Sequence, residues 1–263
     1  MRLKLKLILI IILIINSAVN IQAEAAAQAH LEDENNKIKI AAADPWLAVI
    51  TSFIGGTNVY VTSLYDFNAK PNKNVNLNNI NKLIAIDRDE LKNFKININI
   101  ANIETWYLFK EFKELNNLEA AILDPSVTPF IAQKIMTALA TWDAANYPYY
   151  QRRLAEFQTR LSSSILAGKQ LLNGTKIYLD GEGALNLYNL FKASGCEILD
   201  KVTPDALSIV DDSYSRGKRK LKSQGNIFYF KRPDIKENNY NIDYPAYLHD
   251  LYIALWQLIS KSN

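Results

Sequence analysis

Along residues 37–64 the pattern of apolar and polar positions changes period twice. Lys37-Ile-Lys-Ile-Ala-Ala-Ala43 begins with polar and apolar residues in alternation, the period of a half-buried strand. Asp44 then stands before Pro45, an N-cap followed by proline at the first helical position, where its missing N–H costs nothing. The apolar run that follows stops at Gly55-Gly56, and Val59-Tyr-Val-Thr-Ser-Leu64 reads as a second strand. Strand, one-sided helix and strand make a βαβ unit, so the pattern predicts a parallel sheet.

Further strands are predicted at Lys82–Asp87, Phe94–Ile100 and Leu118–Leu123, with a short helix over Asp87–Lys92 and helical apolar spacing over Ile103–Lys113. The centre of the chain differs. Thr128–Leu139 reads as one helix and Ala144–Leu172 as a second, closed by Asn173-Gly174, with Pro148 tolerable only near its start. Tyr149, Leu154, Phe157, Leu161 and Ile165 fall on one side of it. A helix of roughly 28 residues runs about 40 Å, longer than one small lobe is wide, so it is expected to bridge two lobes. The alternation then resumes with strands at Thr175–Leu179, Cys196–Leu199, Leu207–Val210 and Asn226–Phe230, a helix at Ala184–Ala193 and an amphipathic helix at Tyr247–Ile259. The expected organisation is an N-terminal α/β lobe over 37–143, a linking helix over 144–172 and a C-terminal α/β lobe over 173–263.

The first residues change the charge argument. Arg2, Lys4 and Lys6 precede the apolar run Leu7–Ile15 and a more polar stretch ending at Ala23, the layout of a cleaved secretory signal peptide. The run is well short of the roughly 20 residues that cross a bilayer. The expectation is a soluble periplasmic protein, with residues 24–36, rich in Glu, Asp and Asn, a disordered leader. The full chain carries 30 Lys and Arg against 27 Asp and Glu. Without the signal those three basic residues go, the mature chain is formally neutral, and nothing points to nucleic acid. Cys196 is the single cysteine, so no internal disulfide forms.

Signals for catalysis are few. His30 lies in the leader and His249 in the terminal helix beside Asp250, where a surface or packing role is expected, so a nucleophile has no evident base. Nucleophile-elbow, phosphate-loop and Cys-x-x-Cys motifs are missing from the sequence. An enzyme is not expected. Arg216-Gly-Lys-Arg-Lys-Leu-Lys222 is a dense basic run read as a solvated face, with binding of an anionic partner the other reading. Asn173-Gly-Thr175 is read as a helix stop, and the tyrosines at 147–150 and 240–247 as core or inter-lobe packing.

Taken in order, several pieces of this chain resemble the zinc- and manganese-binding proteins of ABC importers (cluster A-I solute-binding proteins, ZnuA/TroA-like). The opening helix, Gly-Gly and Val-x-Val-Thr-Ser-Leu64 is similar to the family's opening. Glu104-Thr-Trp106 looks like its Glu-x-Trp, and Leu123-Asp-Pro125 like the tail of its Asp-Pro-His-x-Trp-Leu-Asp-Pro. Gly181-Glu-Gly-Ala-Leu-Asn-Leu-Tyr188 is similar to the manganese-type Ser-Glu-Gly-Ala-Phe-x-Tyr-Phe, and Tyr149, Tyr150, Leu154, Phe157 and Leu161 fall at the family's long-helix positions. The resemblance implies two lobes with parallel β-sheets flanked by helices and joined by one long rigid helix, the TroA-like helical-backbone fold. It also implies metal held between the lobes, usually by three histidines plus an acid or by two histidines plus two acids, and an inner-membrane ABC permease as partner.

The ligand positions depart from that pattern. Lys70-Pro71-Asn72 stands where the resemblance implies Asp-Pro-His, and Ala120 stands where it implies the second histidine. Glu182 matches the third ligand of the manganese-type proteins, although an acid at a helix N-terminus has its own rationale in the dipole. The fourth ligand falls within Phe230–Asp234, where Asp234 is the candidate. The candidate metal ligands are therefore Asn72, Glu182 and Asp234. These are hard oxygen donors suited to manganese, magnesium or calcium, not to a high-affinity zinc shell. Two functions stay open: a metal (zinc/manganese-type) carrier with a weakened or lost site, and a metal-free envelope scaffold that keeps the fold.

Overall fold

The computed structural model describes residues 37–68, 70–72, 75, 80–87, 103–109, 117–212, 226–235 and 239–261. The chain divides into residues 1–38 and a compact unit of 39–263, and the architecture below is that of the second. Two four-stranded parallel sheets lie in separate lobes. The first contains β1 (Ile38–Ala42), β2 (Val59–Ser63), β3 (Lys82–Ala85) and β4 (Glu104–Tyr107) in the order β2-β1-β3-β4. Helix α1 (Pro45–Gly55) connects β1 to β2, and α2 (Leu118–Ile122) and α3 (Thr128–Trp142) follow β4. In the second lobe β5 (Lys176–Asp180), β6 (Glu197–Leu199), β7 (Leu207–Asp211) and β8 (Ile227–Phe230) repeat the layout as β6-β5-β7-β8. The long helix α4 (Tyr147–Leu172) joins the lobes; α5 (Glu182–Leu185), α6 (Tyr188–Ala193) and the terminal α7 (Tyr244–Ser260) complete the second. Among the described residues no helix is long and apolar enough to cross a membrane.

Both sheets reverse their strand order beside the first strand, and in sheets of this kind ligand sites form at the carboxyl ends next to that reversal. Asp44 follows β1, Glu182 follows β5, Asp211 ends β7 and Arg232 follows β8. The topology thus gathers the chemistry of the chain at facing strand ends.

Several sequence expectations change. Leu118–Leu123, expected as a strand, is the helix α2, capped by Asn117, whose side chain accepts from the Ala120 N–H. Ile103–Lys113, expected as a helix, contributes the strand β4, paired in parallel with β3. Its aromatic and β-branched residues suit a pleated surface. The Ala184–Ala193 helix is broken into α5 and α6 around Asn186. Helix α1 is not one-sided: Ser52 alone of its residues escapes burial. The predicted Phe94–Ile100 strand, the 88–92 part of the short helix, the 216–222 basic run, the signal and the leader lie outside the described residues.

Helix α4 is continuous over 26 residues, preceded by a 3₁₀ turn at Ala144–Asn146. Its buried stripe is Tyr150, Leu154, Phe157, Leu161, Ser164, Gly168 and Leu172. At its start Arg153 donates to the Phe53 carbonyl through Nε (2.9 Å) and Nη2 (2.7 Å), satisfying an orphan acceptor near the end of α1. Phe157 meets Phe53 edge-on at 5.3 Å and stacks on Tyr244 at 5.9 Å, and Tyr244 meets Trp46 edge-on at 5.8 Å. The Tyr244 hydroxyl donates to the Ile122 carbonyl at 2.6 Å. A residue of the last helix is thereby buried against the first lobe and the linking helix together.

Gly168 lets α7 approach α4. A Cβ there would fall 2.6 Å from the ring of the fully buried Tyr252, whose hydroxyl is tied to Ser194 at 3.1 Å. Overpacking costs about 1–3 kcal/mol, more than the roughly 1 kcal/mol that alanine gains over glycine in a helix. Gly168→Ala is expected to lower the melting temperature by several degrees in a thermal melt; a higher one would refute the packing.

Candidate functional site

Glu119 is the centre of the cleft between the lobes. It lies in the first turn of α2, where the helix dipole favours an acid. Arg232, just past β8, grips both its oxygens, Nε to Oε1 at 2.6 Å and Nη2 to Oε2 at 2.8 Å. Asn186 Nδ2 adds a bond to Oε2 at 2.6 Å, and Trp46 Nε1 one to Oε1 at 3.2 Å. The cap residue Asn117 in turn donates to Asn186 Oδ1 at 2.6 Å. Arg232 is steadied by its own lobe, since Nη1 donates to Asp211 Oδ1 at 2.7 Å. A further polar bond, Asn189 Nδ2 to Asp124 Oδ2 at 2.7 Å, crosses nearby.

These charges are scarcely hydrated. Side-chain exposure is 10% for Arg232, 18% for Glu119 and 2% for Asp211. Burial pulls the Arg232 guanidinium down, but the hydrogen bonds and charges of Glu119 and Asp211 outweigh it, and the net shift is upward. Arg232 is a permanent cation here. Asp44 feels the reverse balance. Its Oδ1 accepts from the Trp46 N–H at 2.7 Å as the cap of α1, yet burial pushes its carboxyl up to about 7, with the Glu119 charge adding to the rise.

The sequence-predicted ligands are placed differently from one another. Asn72 and Asp234 line a common cavity of about 660 Å³, with Asp66, Asp212, Phe67 and Tyr240. Asn72 Nδ2 donates to the Ser63 carbonyl at 3.2 Å, while Asp234 is exposed. Glu182 is exposed and outside that lining, although the next residue, Gly183, abuts the Asp211 carboxylate. His249 is exposed on α7, and His30 lies outside the described residues.

Sequence reasoning missed Glu119, Arg232 and Asp211, and read Asp44 only as the cap of the first helix. Two of them had a findable signal: Glu119 adjoins Ala120, and Arg232 sits inside the Phe230–Asp234 window. Searching those windows for charge of either sign, not for ligand types alone, finds both. The donor set does not fit a zinc or manganese shell. Among the described residues no group of three His, Cys, Asp or Glu is placed to hold a metal. The acid that the first lobe offers to the cleft is taken by a guanidinium.

Asp44 makes the cleft pH-sensitive. Its folded value of about 7 lies above the unfolded 3.8, so the folded state binds more protons between those values and loses stability as pH rises through them. Three units set a ceiling of about 4 kcal/mol, reduced by the partial solvent access of Asp44. Asparagine caps a helix as well as aspartate does. Asp44→Asn is therefore expected to melt near wild type at pH 4 and increasingly above it up to about pH 7. A difference that does not change with pH would contradict this.

No protein-family model and no curated protein matches the sequence. Solved structures do. A ZnuA crystal structure aligns with a TM-score of 0.59 at 12% identity, covering 84% of this chain and 98% of that one. FpvC from Pseudomonas aeruginosa, in complex with Mn2+, aligns at 0.63 and 14% identity, with 86% and 100% covered. The laminin-binding protein Lmb of Streptococcus agalactiae, described as having adhesin and metal transporting activity, aligns at 0.59 and 10% identity, with 84% and 99% covered. The chain has the TroA-like fold of the cluster A-I solute-binding proteins.

Proposed function

We propose that this chain is an exported envelope protein of solute-binding architecture that meets an inner-membrane partner, an ABC permease by resemblance, without carrying zinc or manganese between its lobes. The observation that carries this reading is the Arg232–Glu119 pair. It spends the first lobe's inter-lobe acid on a guanidinium held from the second lobe. The fold supports a binding protein over an enzyme, because its chemistry is collected between two lobes and not around an activated nucleophile. The start of the sequence supports export.

A second reading has one observation in its favour. Asn72 and Asp234 share a cavity with Asp66 and Asp212, and such hard oxygen donors suit a weakly held manganese, magnesium or calcium ion. In that case the protein is a low-affinity carrier.

Thermal melts of the chelator-treated chain from Glu24 onward separate these readings. A nanomolar zinc site exposed to about 10 µM metal adds on the order of 5 kcal/mol, a rise of about ten degrees for a chain this size. No shift is expected with micromolar zinc or manganese. A rise of about ten degrees with zinc would refute the metal-free reading. A small rise with millimolar manganese, removed by Asp234→Ala, would favour the weak carrier.

A further inference from the structure

We propose that the cavity beside the Arg232–Glu119 pair is a binding site for a small zwitterion, a free amino acid or a short peptide, whose ammonium and carboxylate ends are met by acids and lysines from both lobes. The inference rests on the metal-free reading and names what the cleft takes in place of a metal. At about 660 Å³ the cavity is in the size range of organic-ligand sites and far larger than a bare ion requires. Its walls carry both signs in equal number, Asp66, Asp212 and Asp234 against Lys70, Lys231 and Arg232. Arg232 is committed to Glu119 and Asp211. Asp66, Lys70, Lys231 and Asp234 differ from it: among the described residues none of these four is in an ion pair.

Each lobe supplies one acid and one base to this set, and each presents them on a fixed segment. In the first lobe Asp66 Oδ1 accepts from the backbone N–H groups of Asn68 (2.8 Å) and Lys70 (2.9 Å), and the Asp66 N–H donates to the Lys70 carbonyl at 2.9 Å, so one tight turn carries both charges. In the second, Lys231 and Asp234 follow β8, and the Lys231 carbonyl accepts from the Tyr247 hydroxyl at 2.8 Å, which ties the segment to α7. Opposite charges that share a cavity without neutralising one another suit a ligand that carries both. A metal ion would face two ammoniums as well as two carboxylates, and a simple anion the converse. A zwitterion meets each charge with its opposite, in charge-assisted hydrogen bonds. Phe67, Pro71, Pro233 and Ile235 add apolar wall for an aliphatic side chain, and Phe67 is held edge-on against Trp46 at 4.9 Å.

The test is titration of the chelator-treated protein with leucine, dileucine and trileucine, followed by calorimetry and by thermal melts. At least one of the three is expected to bind with a micromolar Kd, and the tightest of them separates an amino acid from a peptide as the ligand. Its N-acetylated, C-amidated form, which lacks both end charges, is expected to bind at least about tenfold more weakly. Lys70→Gln and Asp234→Asn are each expected to raise the Kd of the free form by about tenfold or more. Without ligand both variants are expected to melt within about two degrees of wild type, because these side chains are exposed and unpaired. Lys70→Gln is further expected to leave the Kd of the C-amidated form unchanged, since the carboxylate it serves is already gone. No binding of any of the three at millimolar concentration, a blocked form that binds as tightly as the free one, or variants that bind like wild type would each overturn the proposal. A rise of about ten degrees with micromolar zinc would sink the metal-free reading. Absence of leucine and peptide binding without that rise would overturn this proposal and leave that reading standing.

Discussion

A carboxylate between two lobes has to be neutralised, and much of this structure is arranged around how Glu119 meets that requirement. Removing one partner from a buried ion pair is costly because the remaining charge stays out of water, typically by about 3–5 kcal/mol. The pair is therefore better understood as a constraint than as a source of stability, since apolar residues of the same shape often hold a protein equally well. What it provides is specificity. Arg232 reaches Glu119 in one relative placement of the two lobes, and Asn186 and Trp46 reach the same oxygens in that placement as well.

The rest of the fold supports that placement. Helix α4 sets the spacing of the lobes, and Arg153 fastens its first turns to the end of α1. The aromatic chain Phe53–Phe157–Tyr244–Trp46 leaves α1, crosses the linking helix and α7, and returns to α1 at the edge of the cleft, with its final indole bonded to Glu119. Aromatic pairs of this kind contribute about 0.5–1.5 kcal/mol each beyond their burial. The polar latch and the apolar chain share one residue, Trp46, so closure of the cleft and packing of the core are parts of one arrangement.

Much of this was legible in the sequence, and the omissions have physical causes. The βαβ opening and the long helix were readable because each has strong punctuation, Asp44-Pro45 and Gly55-Gly56 in one case and Pro148 and Asn173-Gly174 in the other. Leu118–Leu123 was not, since a short apolar run fits a strand or a buried helix equally, and what decides it is the Asn117 cap. On α4 the apolar pattern pointed to Tyr149 and Ile165, whereas burial selects Tyr150, whose hydroxyl bonds Asp143, and also Ser164 and Gly168, where α7 comes close enough to need a hydroxyl and a glycine. The site was the least legible part. Its windows were located through the resemblance, but an arginine in place of a ligand is invisible to a search for ligands. Asn186, which breaks the expected helix, bonds a residue 67 positions away.

The most direct measurement is a double-mutant cycle between Glu119→Gln and Arg232→Met, read by chemical denaturation of chelator-treated protein. If the two side chains hold the lobes as one unit, the coupling energy is about 2–3 kcal/mol, the upper part of the roughly 0.5–3 kcal/mol found for residues within one ion-pair network. A coupling below about 0.5 kcal/mol, the value for independent sites, would contradict the account.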